Sequence, residues 1–437
     1  MSPAQAAPLN PRTAFGRNTR TLLWIDRYGG VAICLILTLF RRILGRDASP
    51  LRLRSGQARR PGDVPPSCRS ILFLKLAEQG STVLAYEALR SAVEKVGREN
   101  VYFLAFEENR FVVDILELMP AENVLTIRTA SPWTMAASAV QRLREIRRRR
   151  IDACIDMEFF TRSSAALAFL TGSRRRVGFH AYFGEGPWRG DLFTHRVLYN
   201  PHLHTSQIFA TLVRALDVPP ERLPTFDFVP APLSAPPPFR SAPEEVKEVR
   251  ALLRGAGMPE QARLILLNAN ASDLLPLRRW DRQNYLELAR RLLAEFPDLC
   301  LGFTGAPEEQ GAISSLVEAL GSTRCLCLAG RTSLRQLFVL YGLAEVLVTN
   351  DSGPAHFASL TSVDVVTLFG PETPLLFAGL GPRNHPLWAG LACSPCVNAL
   401  NNRQTACRDN VCMQRISVEQ VFHLTREIYR RRLSLSP

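Results

Sequence analysis

The chain has 437 residues, and chains of this length usually fold around more than one hydrophobic core. We therefore predict two domains and additional segments. Hydrophobic residues at 46% and charged residues at 21% are ordinary for a globular protein and argue against a disordered or fibrous chain. The formal net charge of +13 favours anionic partners such as phosphorylated substrates or anionic lipid. Because no nucleic-acid-binding motif accompanies this charge, we predict no nucleic-acid partner.

The cysteines and the first residues indicate the compartment. The first twenty residues are polar and contain proline, so they do not predict a cleavable signal peptide. Six of the ten cysteines stand singly or in apolar runs, as reduced core thiols do. We therefore expect a cytosolic, reducing environment.

An apolar stretch between arginines near the N-terminus departs from the pattern of a soluble protein. Its uninterrupted part, residues 28–40, is shorter than the roughly 20 residues that cross a bilayer, and extending it brings in Asp26 and Arg27. Arginines on both sides leave its orientation undetermined. We predict a membrane-seeking helix that lies in the membrane plane or re-enters it, with a spanning helix or a helix packed on the protein as alternatives. Together with a basic tether at 47–68, it forms an N-terminal segment, 1–68.

Residues 69–230 alternate short apolar runs with helical patterns. Continuous apolar runs are typical of buried parallel strands, and helices between them indicate βαβ units. We therefore predict a Rossmann-like domain in this half. Its predicted strands lie at 70–77, 101–106 and 151–158, and its predicted helices at 82–96 and 141–150.

A proline-rich stretch, PAPLSAPPPFRSAP, predicts a hinge before residue 244, and the alternating pattern then restarts over 244–437. Two α/β, doubly wound halves joined by a hinge predict a ligand cleft between them. Ligands of such sheets bind outside the carboxyl ends of the strands. The predicted strands of this half lie at 264–268, 300–304, 344–349 and 363–369, and its predicted helices at 282–296, 308–320, 334–341 and 354–360.

The strongest local signal is AEVLVTNDSGPAHFASL, in which a buried strand is followed by a tight turn and a short helix. Pro354 suits the first helical position, and Asp351 and Ser352 suit an N-cap. Gly353 lets a ligand come close to the backbone. A helix start of this kind predicts a site for a diphosphate, and an ordinary capped helix is the alternative.

This D-S-G-P-A-H segment resembles the D-[ST]-G-x-x-H signature of glycosyltransferase family 9, the family of the lipopolysaccharide heptosyltransferases. The resemblance covers roughly residues 70–430 in order and leaves out the first 65 residues. The other segments that carry it are ILFLKLAEQGSTVLAYEAL, RRRRIDACIDMEFFTRSSAALAFLTGSRRRVGF, LRRWDRQNYLELARRL and the cysteine-containing tail that begins CSPC.

The resemblance implies a GT-B fold, with two Rossmann-like domains facing a cleft. Residues 69–230 would hold the acceptor, and residues 244–437 the nucleotide-sugar donor. Enzymes of this fold generally invert the anomeric centre without a divalent metal, so the resemblance implies no metal and no cofactor beyond the nucleoside-diphosphate sugar as co-substrate.

Carried over to this sequence, the resemblance places a set of residues at the donor. Asp351, Ser352 and Gly353 would contact its diphosphate or sugar, and His356 would point at the same group. A guanidinium in the loop after strand 264–268 could pair with phosphate, although a solvated surface position is the alternative. An acid after strand 300–304 would accept the ribose hydroxyls, or would instead cap a helix. The predicted donor-binding residues are Arg278, with Arg279 beside it, Glu308, Asp351, Ser352, Gly353 and His356.

The general base is where the sequence departs from the family pattern. The family carries Gly-Asp in its first loop, and that aspartate is taken to deprotonate the acceptor hydroxyl, whereas here the pair is Gly80-Ser81. Serine cannot act as a general base unaided. We predict that Glu78, in the same acceptor-side loop, takes this role. Carboxylates at neighbouring strand ends are the alternatives: Glu107, Glu108 and Glu158.

Four cysteines stand together near the C-terminus at Cys393, Cys396, Cys407 and Cys412. Four thiolates can bind zinc, but the second pair is loosely spaced for a zinc ribbon, so zinc and reduced or redox-labile thiols both stay open. Either would be structural.

Together these features predict an inverting glycosyltransferase at the cytoplasmic face of the bacterial inner membrane, peripheral or monotopic. It would move a heptose or a similar sugar to an anionic glycolipid, a lipid-linked acceptor or a lipopolysaccharide-type acceptor. A sugar-nucleotide hydrolase or epimerase of the same fold is one alternative. A non-catalytic, membrane-tethered glycan- or nucleotide-binding homologue is another, because Ser81 replaces the family's aspartate.

Overall fold

The computed structural model describes most of the chain, and the side chains of the first helix from residue 26 onward. The described residues cluster into two compact units. The N-terminal unit runs to residue 233 and also takes up residues 397–405, and the C-terminal unit consists of residues 234–396 and of the residues from 406 onward. The described ranges are 19–43, 68–181, 186–227, 229–271, 275–401 and 403–435.

A six-stranded sheet forms the centre of the N-terminal unit. Its strand order is β3-β2-β1-β4-β5-β6, and all neighbouring strands are parallel. Most strand residues are buried and apolar, because helices cover a parallel sheet on both faces. The strands are β1 (Ile71–Leu74), β2 (Val101–Phe106), β3 (Val124–Ile127), β4 (Ala153–Asp156), β5 (Arg175–Phe179) and β6 (His195–Val197).

Seven helices of the described chain belong to this unit. The fifth begins before its predicted start at 141, because the Ser131 hydroxyl accepts a hydrogen bond from the Thr134 amide at 3.1 Å and Pro132 takes the first helical position. The helices are α1 (Thr19–Ile43), α2 (Gln79–Val83), α3 (Tyr86–Val96), α4 (Arg110–Ile115), α5 (Pro132–Arg149), α6 (Arg162–Leu170) and α7 (Thr205–Arg214).

The C-terminal unit repeats this architecture. Its order, β12-β11-β10-β7-β8-β9, is the same 3-2-1-4-5-6 pattern read from its own first strand, and all its neighbouring strands are parallel. This is the order of a Rossmann-like, doubly wound sheet, which confirms the predicted fold of both halves. The strands are β7 (Arg263–Asn268), β8 (Leu299–Phe303), β9 (Cys325–Cys327), β10 (Val346–Asn350), β11 (Asp364–Phe369) and β12 (Asn384–Trp388).

The helices of this unit cover its sheet and close its core. The long C-terminal helix packs against the helix that follows β7, and the fully buried Trp280 donates its indole N–H to the Ile416 carbonyl at 2.8 Å. The helices are α8 (Pro243–Gly255), α9 (Arg282–Glu295), α10 (Gln310–Glu318), α11 (Leu334–Leu343), α12 (Gly353–Ala358), α13 (Pro374–Phe377), α14 (Val411–Gln414) and α15 (Val418–Leu435).

Helix α1 packs on the N-terminal unit, against α6. Asp26, which interrupts the apolar stretch in the sequence, accepts hydrogen bonds from the backbone N–H groups of Arg162 and Ser163 at 3.2 and 2.8 Å. It therefore satisfies free donors at the start of α6. Of the helices that the structure describes, none combines the length and apolarity needed to cross a membrane. All but the last residue of the predicted tether at 47–68 lie outside the described residues.

Acid should weaken the fold through His195, the first residue of β6. Burial, followed by the positive charges of Arg175 and Arg176, lowers the pKa of His195 from 6.5 to about 4. The folded state therefore keeps this imidazole neutral, whereas the unfolded chain takes up a proton below about pH 6.5. The free energy of unfolding consequently falls as the pH drops from about 6.5 towards about 4, by up to about 3 kcal/mol from this group.

We expect His195→Gln to remove this part of the acid dependence. The measurement is the urea midpoint, followed by circular dichroism at about pH 7.5 and about pH 4.5. His202→Gln changes an exposed histidine of the same unit and should leave the wild-type dependence in place. If His195→Gln and the wild type lost the same free energy of unfolding in acid, His195 would not be the source of this acid dependence.

Candidate functional site

Most of the predicted donor residues lie near the point where the strand order of the C-terminal sheet reverses. Strands β7 and β10 are neighbours there although about eighty residues separate them, and the chain leaves both at the same edge. In doubly wound sheets, ligands bind outside the carboxyl ends of the strands at this switch point. Arg278 follows β7 and Asp351 follows β10, so the fold brings the two together as predicted.

The segment after β10 forms a short helix. Ser352 is its N-cap residue, but the Ser352 hydroxyl donates to the Asn350 carbonyl at 3.1 Å and makes no capping bond, contrary to the predicted role. Helix α12 has only six residues, Gly353–Ala358, and His356 is buried within it. Because so short a helix aligns few peptide dipoles, its N-terminus attracts an anion only weakly. Charged side chains must therefore provide most of the electrostatic stabilisation at this site.

Gly353 has open space beside its backbone in the described part of the chain. Among the described residues, a Cβ added there would meet only the Phe357 ring, at an ordinary contact distance of 3.5 Å. Packing against these residues therefore does not require glycine at this position.

A buried guanidinium lies between two buried carboxylates beside this segment. The Nε atom of Arg278 is 3.6 Å from Oδ2 of Asp351, and its terminal nitrogen Nη2 is 2.6 Å from Oε2 of Glu372. The side chains are 15%, 3% and 2% exposed, so water screens these charges little. The positive guanidinium compensates the charge of the two carboxylates, whose burial without a cation would be costly. Arg278 is therefore not the solvated surface residue that the sequence left as an alternative.

Glu372 is a residue that the sequence analysis missed. It follows β11, the strand that pairs with β10, and so reaches the same edge of the sheet as Asp351. The sequence could have indicated Glu372 as a site residue, because it is an acidic residue shortly after the end of the apolar strand predicted at 363–369.

A network of neutral hydrogen bonds fixes the backbone around this cluster. The side-chain carbonyl of Asn350 accepts from the Trp280 amide at 3.0 Å and from the Tyr285 hydroxyl at 3.3 Å, and its amide group donates to the Asn270 carbonyl at 3.1 Å. The Tyr285 hydroxyl also lies 3.1 Å from the Asn268 carbonyl, to which it donates. Burial raises the pKa of Tyr285, so its hydroxyl stays a donor. These bonds tie the ends of β7 and β10 to the loop that carries Arg278.

Two further predicted positions have different surroundings. Arg279 donates twice to the Ala271 carbonyl, at 2.8 and 3.2 Å, and so holds its own loop in place. Glu308 is exposed in the turn after β8, and its role at a ribose stays a prediction. Its neighbour Glu309 is the helix-capping acid, because its carboxylate accepts from the Ala306 amide at 2.7 Å. Burial raises the pKa of Glu309.

The acceptor-side residues lie at the switch point of the N-terminal sheet, between β1 and β4. Glu158, after β4, accepts hydrogen bonds from the amides of Leu76 and Ala77 at 2.7 and 2.9 Å. Its other oxygen lies 3.3 Å from the ammonium group of Lys75, which is fully buried. Glu158, one of the alternative bases, therefore holds the first loop in place.

Glu78 lies directly after this anchored segment, with a left-handed backbone conformation at φ 65°. The helix begins at the next residue, Gln79, and not at the predicted start, residue 82. Gly80 and Ser81 are consequently in the first turn of α2, and the prediction that they form a loop was wrong. The physical reason is the turn at Glu78, which reverses the chain early enough for α2 to include both.

The Glu78 carboxylate is held by three groups. The Ser81 hydroxyl donates to it at 3.3 Å, the Lys75 ammonium group lies 3.6 Å away, and Arg403 forms an ion pair with its other oxygen. Its side chain is one-third exposed, so a reactant in water can reach it. Two cations stabilise the ionised carboxylate, which is the form that a general base needs.

Arg403 comes from a part of the chain that sequence reasoning did not connect with this loop. It belongs to residues 397–405, which join the N-terminal unit although their flanks belong to the other unit. Its guanidinium also lies 5.9 Å from the centre of the Phe159 ring. Because 325 residues separate Arg403 from Glu78, no local pattern indicates this contact.

The other alternative bases, at the end of β2, are less enclosed. Glu107 and Glu108 are both exposed in the turn that follows this strand. The Glu108 carboxylate accepts from the Thr129 hydroxyl at 3.0 Å, and the Glu108 carbonyl accepts from the Gln79 side chain at 2.7 Å.

Within the described residues, the four C-terminal cysteines form no disulfide bond. Burial raises the pKa of the Cys412 thiol, and the negative charges of the Cys396 and Cys407 thiolates would raise it further. Within the described parts of the chain, no three or more His, Cys, Asp or Glu side chains are arranged to hold a metal ion.

Similarity to known proteins agrees with this architecture. In sequence, lipopolysaccharide heptosyltransferase 2 of Salmonella typhimurium strain LT2 is 35% identical over 102 residues, which are 23% of this chain and 29% of that protein. The match thus spans less than a third of that relative's length.

Two solved structures share the fold. The E. coli ADP-heptose LPS heptosyltransferase II superposes with a TM-score of 0.63 at 17% identity, over 83% of this chain and 99% of that one. The family 9 glycosyl transferase from Veillonella parvula DSM 2008 superposes with a TM-score of 0.62 at 17% identity, over 84% and 98%. These likenesses confirm the predicted GT-B fold class.

The family itself follows from the sequence of the larger part of the chain. The model of glycosyltransferase family 9 (heptosyltransferase) matches residues 140–406, more than half of the 437 residues. The matched region contains Glu158, Arg278, Asp351, Glu372 and Arg403. The resemblance stated from the motifs is thereby confirmed, and this chain belongs to glycosyltransferase family 9.

Proposed function

We propose that this protein is an inverting, metal-independent glycosyltransferase that moves a heptose or a similar sugar from a nucleoside-diphosphate sugar to a lipid-linked or lipopolysaccharide-type acceptor. Family membership, combined with the buried Arg278–Asp351–Glu372 cluster at the switch point of the second sheet, carries the proposal. The names of the Salmonella and E. coli proteins, which specify a lipopolysaccharide heptosyltransferase and ADP-heptose, support ADP-heptose as the first donor to test.

The donor would bind beside Gly353, where among the described residues only the Phe357 ring comes near the space next to the backbone. Arg278 is the cation at this place and would face the diphosphate. Asp351 and Glu372 together carry one charge more than Arg278 compensates, and carboxylates accept hydrogen bonds well from hydroxyl groups. We assign these two carboxylates to hydroxyl groups of the donor, with His356, Ser352 and Glu308 as further donor contacts.

The reaction would be a single displacement at the anomeric carbon. Glu78 takes the proton of the acceptor hydroxyl as that oxygen forms a bond to the anomeric carbon on the side opposite the diphosphate. The bond between that carbon and the diphosphate oxygen breaks, and the departing diphosphate keeps the electron pair. Arg278, held in place before the donor arrives, stabilises the negative charge that develops there.

The acceptor would be anionic and attached to a membrane. The net charge of +13 favours such a partner, and the predicted location is the cytoplasmic face of the inner membrane. Purified protein incubated with ADP-heptose and a lipopolysaccharide core that lacks heptose should yield a product heavier by one heptose in mass spectrometry. Release of free sugar at the same rate without an acceptor would instead support a hydrolase, and donor binding without turnover would support a non-catalytic homologue.

Asp351→Asn should weaken ADP-heptose binding by a factor of about 10 or more, because a hydrogen bond to a charged group contributes about 1.5–3 kcal/mol. The melting temperature without donor should change little, because one carboxylate still compensates Arg278. Titration calorimetry and a thermal unfolding scan measure the two effects.

Asp364→Asn is the matched control for this substitution. Asp364 is an equally buried, ion-paired carboxylate, but it begins β11 and therefore lies at the opposite edge of the same sheet. The Asp364→Asn variant should have a lower melting temperature than the wild type and an unchanged affinity for ADP-heptose. If Asp351→Asn behaved in the same way, Asp351 would be structural.

Glu78→Gln should lower kcat by about 10²–10⁴, the usual contribution of a general base, because glutamine keeps the shape but cannot take the proton. Donor affinity should stay within about twofold, since the donor residues belong to the other unit. Steady-state kinetics and calorimetry test both expectations.

Two neighbouring substitutions test whether the effect belongs to Glu78 alone. Glu107→Gln changes an exposed carboxylate after β2 and should keep kcat. Loss of turnover in Glu107→Gln with an active Glu78→Gln would move the base to the end of β2. Glu158→Gln should lower the melting temperature as well as kcat, because Glu158 anchors the loop through two amides and Lys75.

A further inference from the structure

Helix α1 turns its polar side towards the protein. Most residues that face the N-terminal unit are small or polar and recur about every fourth position: Asp26, Gly30, Cys34, Thr38 and Arg41. The apolar Leu37 packs against the core of the unit beside them. Asp26 caps α6, as described above. A Cβ added at Gly30 would lie 2.7 Å from Cβ of Arg162, so only glycine allows this close approach of α1 to α6.

The contacts continue to the other end of the helix. Cys34 is fully buried, and the Thr38 hydroxyl accepts a hydrogen bond from the Asp191 amide at 3.0 Å. The guanidinium of Arg41 lies 2.8 Å from the Asp191 carboxylate. Because bonds to the protein run from Asp26 to Arg41, the axis of α1 is fixed along the surface of the unit.

The outward side of α1 is apolar. Over about 16 residues, or roughly 24 Å of helix, large aliphatic and aromatic side chains remain exposed, and Ile36 and Ile43 reach 63% and 79%. A helix on a water-facing surface carries the opposite pattern, with its apolar side turned inward. The exposed apolar residues are Tyr28, Val31, Ile33, Leu35, Ile36, Leu39, Phe40 and Ile43.

The edges of this face have the composition of a membrane interface. Arg27 and Arg42 are exposed near its two ends, where a guanidinium would meet lipid phosphate. Tyr28 lies at one end, and Trp188, which is 42% exposed, neighbours the start of α6 through the bond from the Arg162 side chain to the Trp188 carbonyl at 2.9 Å. Tyrosine, tryptophan and arginine are enriched at the boundary between acyl chains and headgroups.

We propose that the outward face of α1 lies within one leaflet of an anionic bilayer, with the helix axis parallel to the membrane plane. The proposal deepens the proposed function at a membrane surface and rests on it. An aliphatic centre between basic and aromatic edges matches acyl chains between anionic headgroups. A second copy of this chain is the competing occupant.

This attachment orients the candidate active site. The Asp26 end of α1 caps α6, which follows β4 and the loop anchor Glu158. Arg27 of α1 also donates to the Gln404 side chain at 3.5 Å, and Gln404 follows Arg403, the partner of Glu78. A lipid-linked acceptor beside α1 would therefore have its headgroup at the same end of the N-terminal unit as the candidate base.

The test is co-sedimentation of the full-length protein with vesicles of phosphatidylcholine, with and without phosphatidylglycerol. The double variant Ile36→Asp/Leu39→Asp should bind at least about tenfold more weakly to vesicles that contain phosphatidylglycerol, because burial of each side chain contributes more than a factor of 10. Both residues face outward, so the melting temperature and the affinity for ADP-heptose should match the wild type.

Leu375→Asp is the matched control, since Leu375 is an exposed leucine, 72% accessible, in the C-terminal unit. It should bind vesicles like the wild type. Equal vesicle binding by the double variant would overturn the proposal. So would a change from dimer to monomer in light scattering without any vesicle binding by the wild type, because the face would then join two copies. Vesicle binding is measured without donor or acceptor, so it is independent of whether the protein transfers a sugar.

Discussion

The compensation of buried charge at the edge of a parallel sheet is the constraint on which the candidate donor site depends. Asp351 and Glu372 are almost completely buried after neighbouring strands, and Arg278 is the cation between them. Without it, both carboxylates would lie in a medium that solvates them poorly. The hydrogen-bond network through Asn350 then holds the loop of Arg278 at the ends of β7 and β10, so the chain's own hydrogen bonds position the cluster.

The N-terminal unit also contains a buried pair of opposite charges, but this pair stabilises a loop. Glu158 and Lys75 are a buried pair, and Glu158 also binds two backbone amides of the first loop. This anchoring leaves Glu78, the next charged residue, partly exposed beside Ser81 and Arg403. Within one small region, therefore, one carboxylate is committed to structure and another is accessible to a reactant. Their difference comes from hydrogen-bond partners, since the residue type is the same.

Helix α1 shows how a polar residue inside an apolar stretch can have a structural meaning. Asp26 would be costly in a spanning helix, but here it caps α6 and fixes α1 on the unit. The same contacts place the apolar residues of α1 on the outside. The inverted pattern of this helix is thus a consequence of its polar attachment, and the proposed contact with a membrane is based on that pattern.

The sequence by itself determined the fold class and the family. Continuous apolar runs such as those of β1, β7 and β10 are typical of parallel strands buried between helices, and the D-S-G-P-A-H motif after β10 indicated the family. Arg278 and Asp351 lie in the segments that follow β7 and β10, the two strands that pair at the switch point, and their contact with a donor stays a prediction. Only the tertiary structure decided the partners of these residues. Glu372 beside Arg278 and Arg403 beside Glu78 depend on the order of strands and on the return of residues 397–405, and the early start of α2 depends on the turn at Glu78. Local patterns report the residues within a few turns of the chain, whereas burial and compensation of charge are properties of neighbours in space.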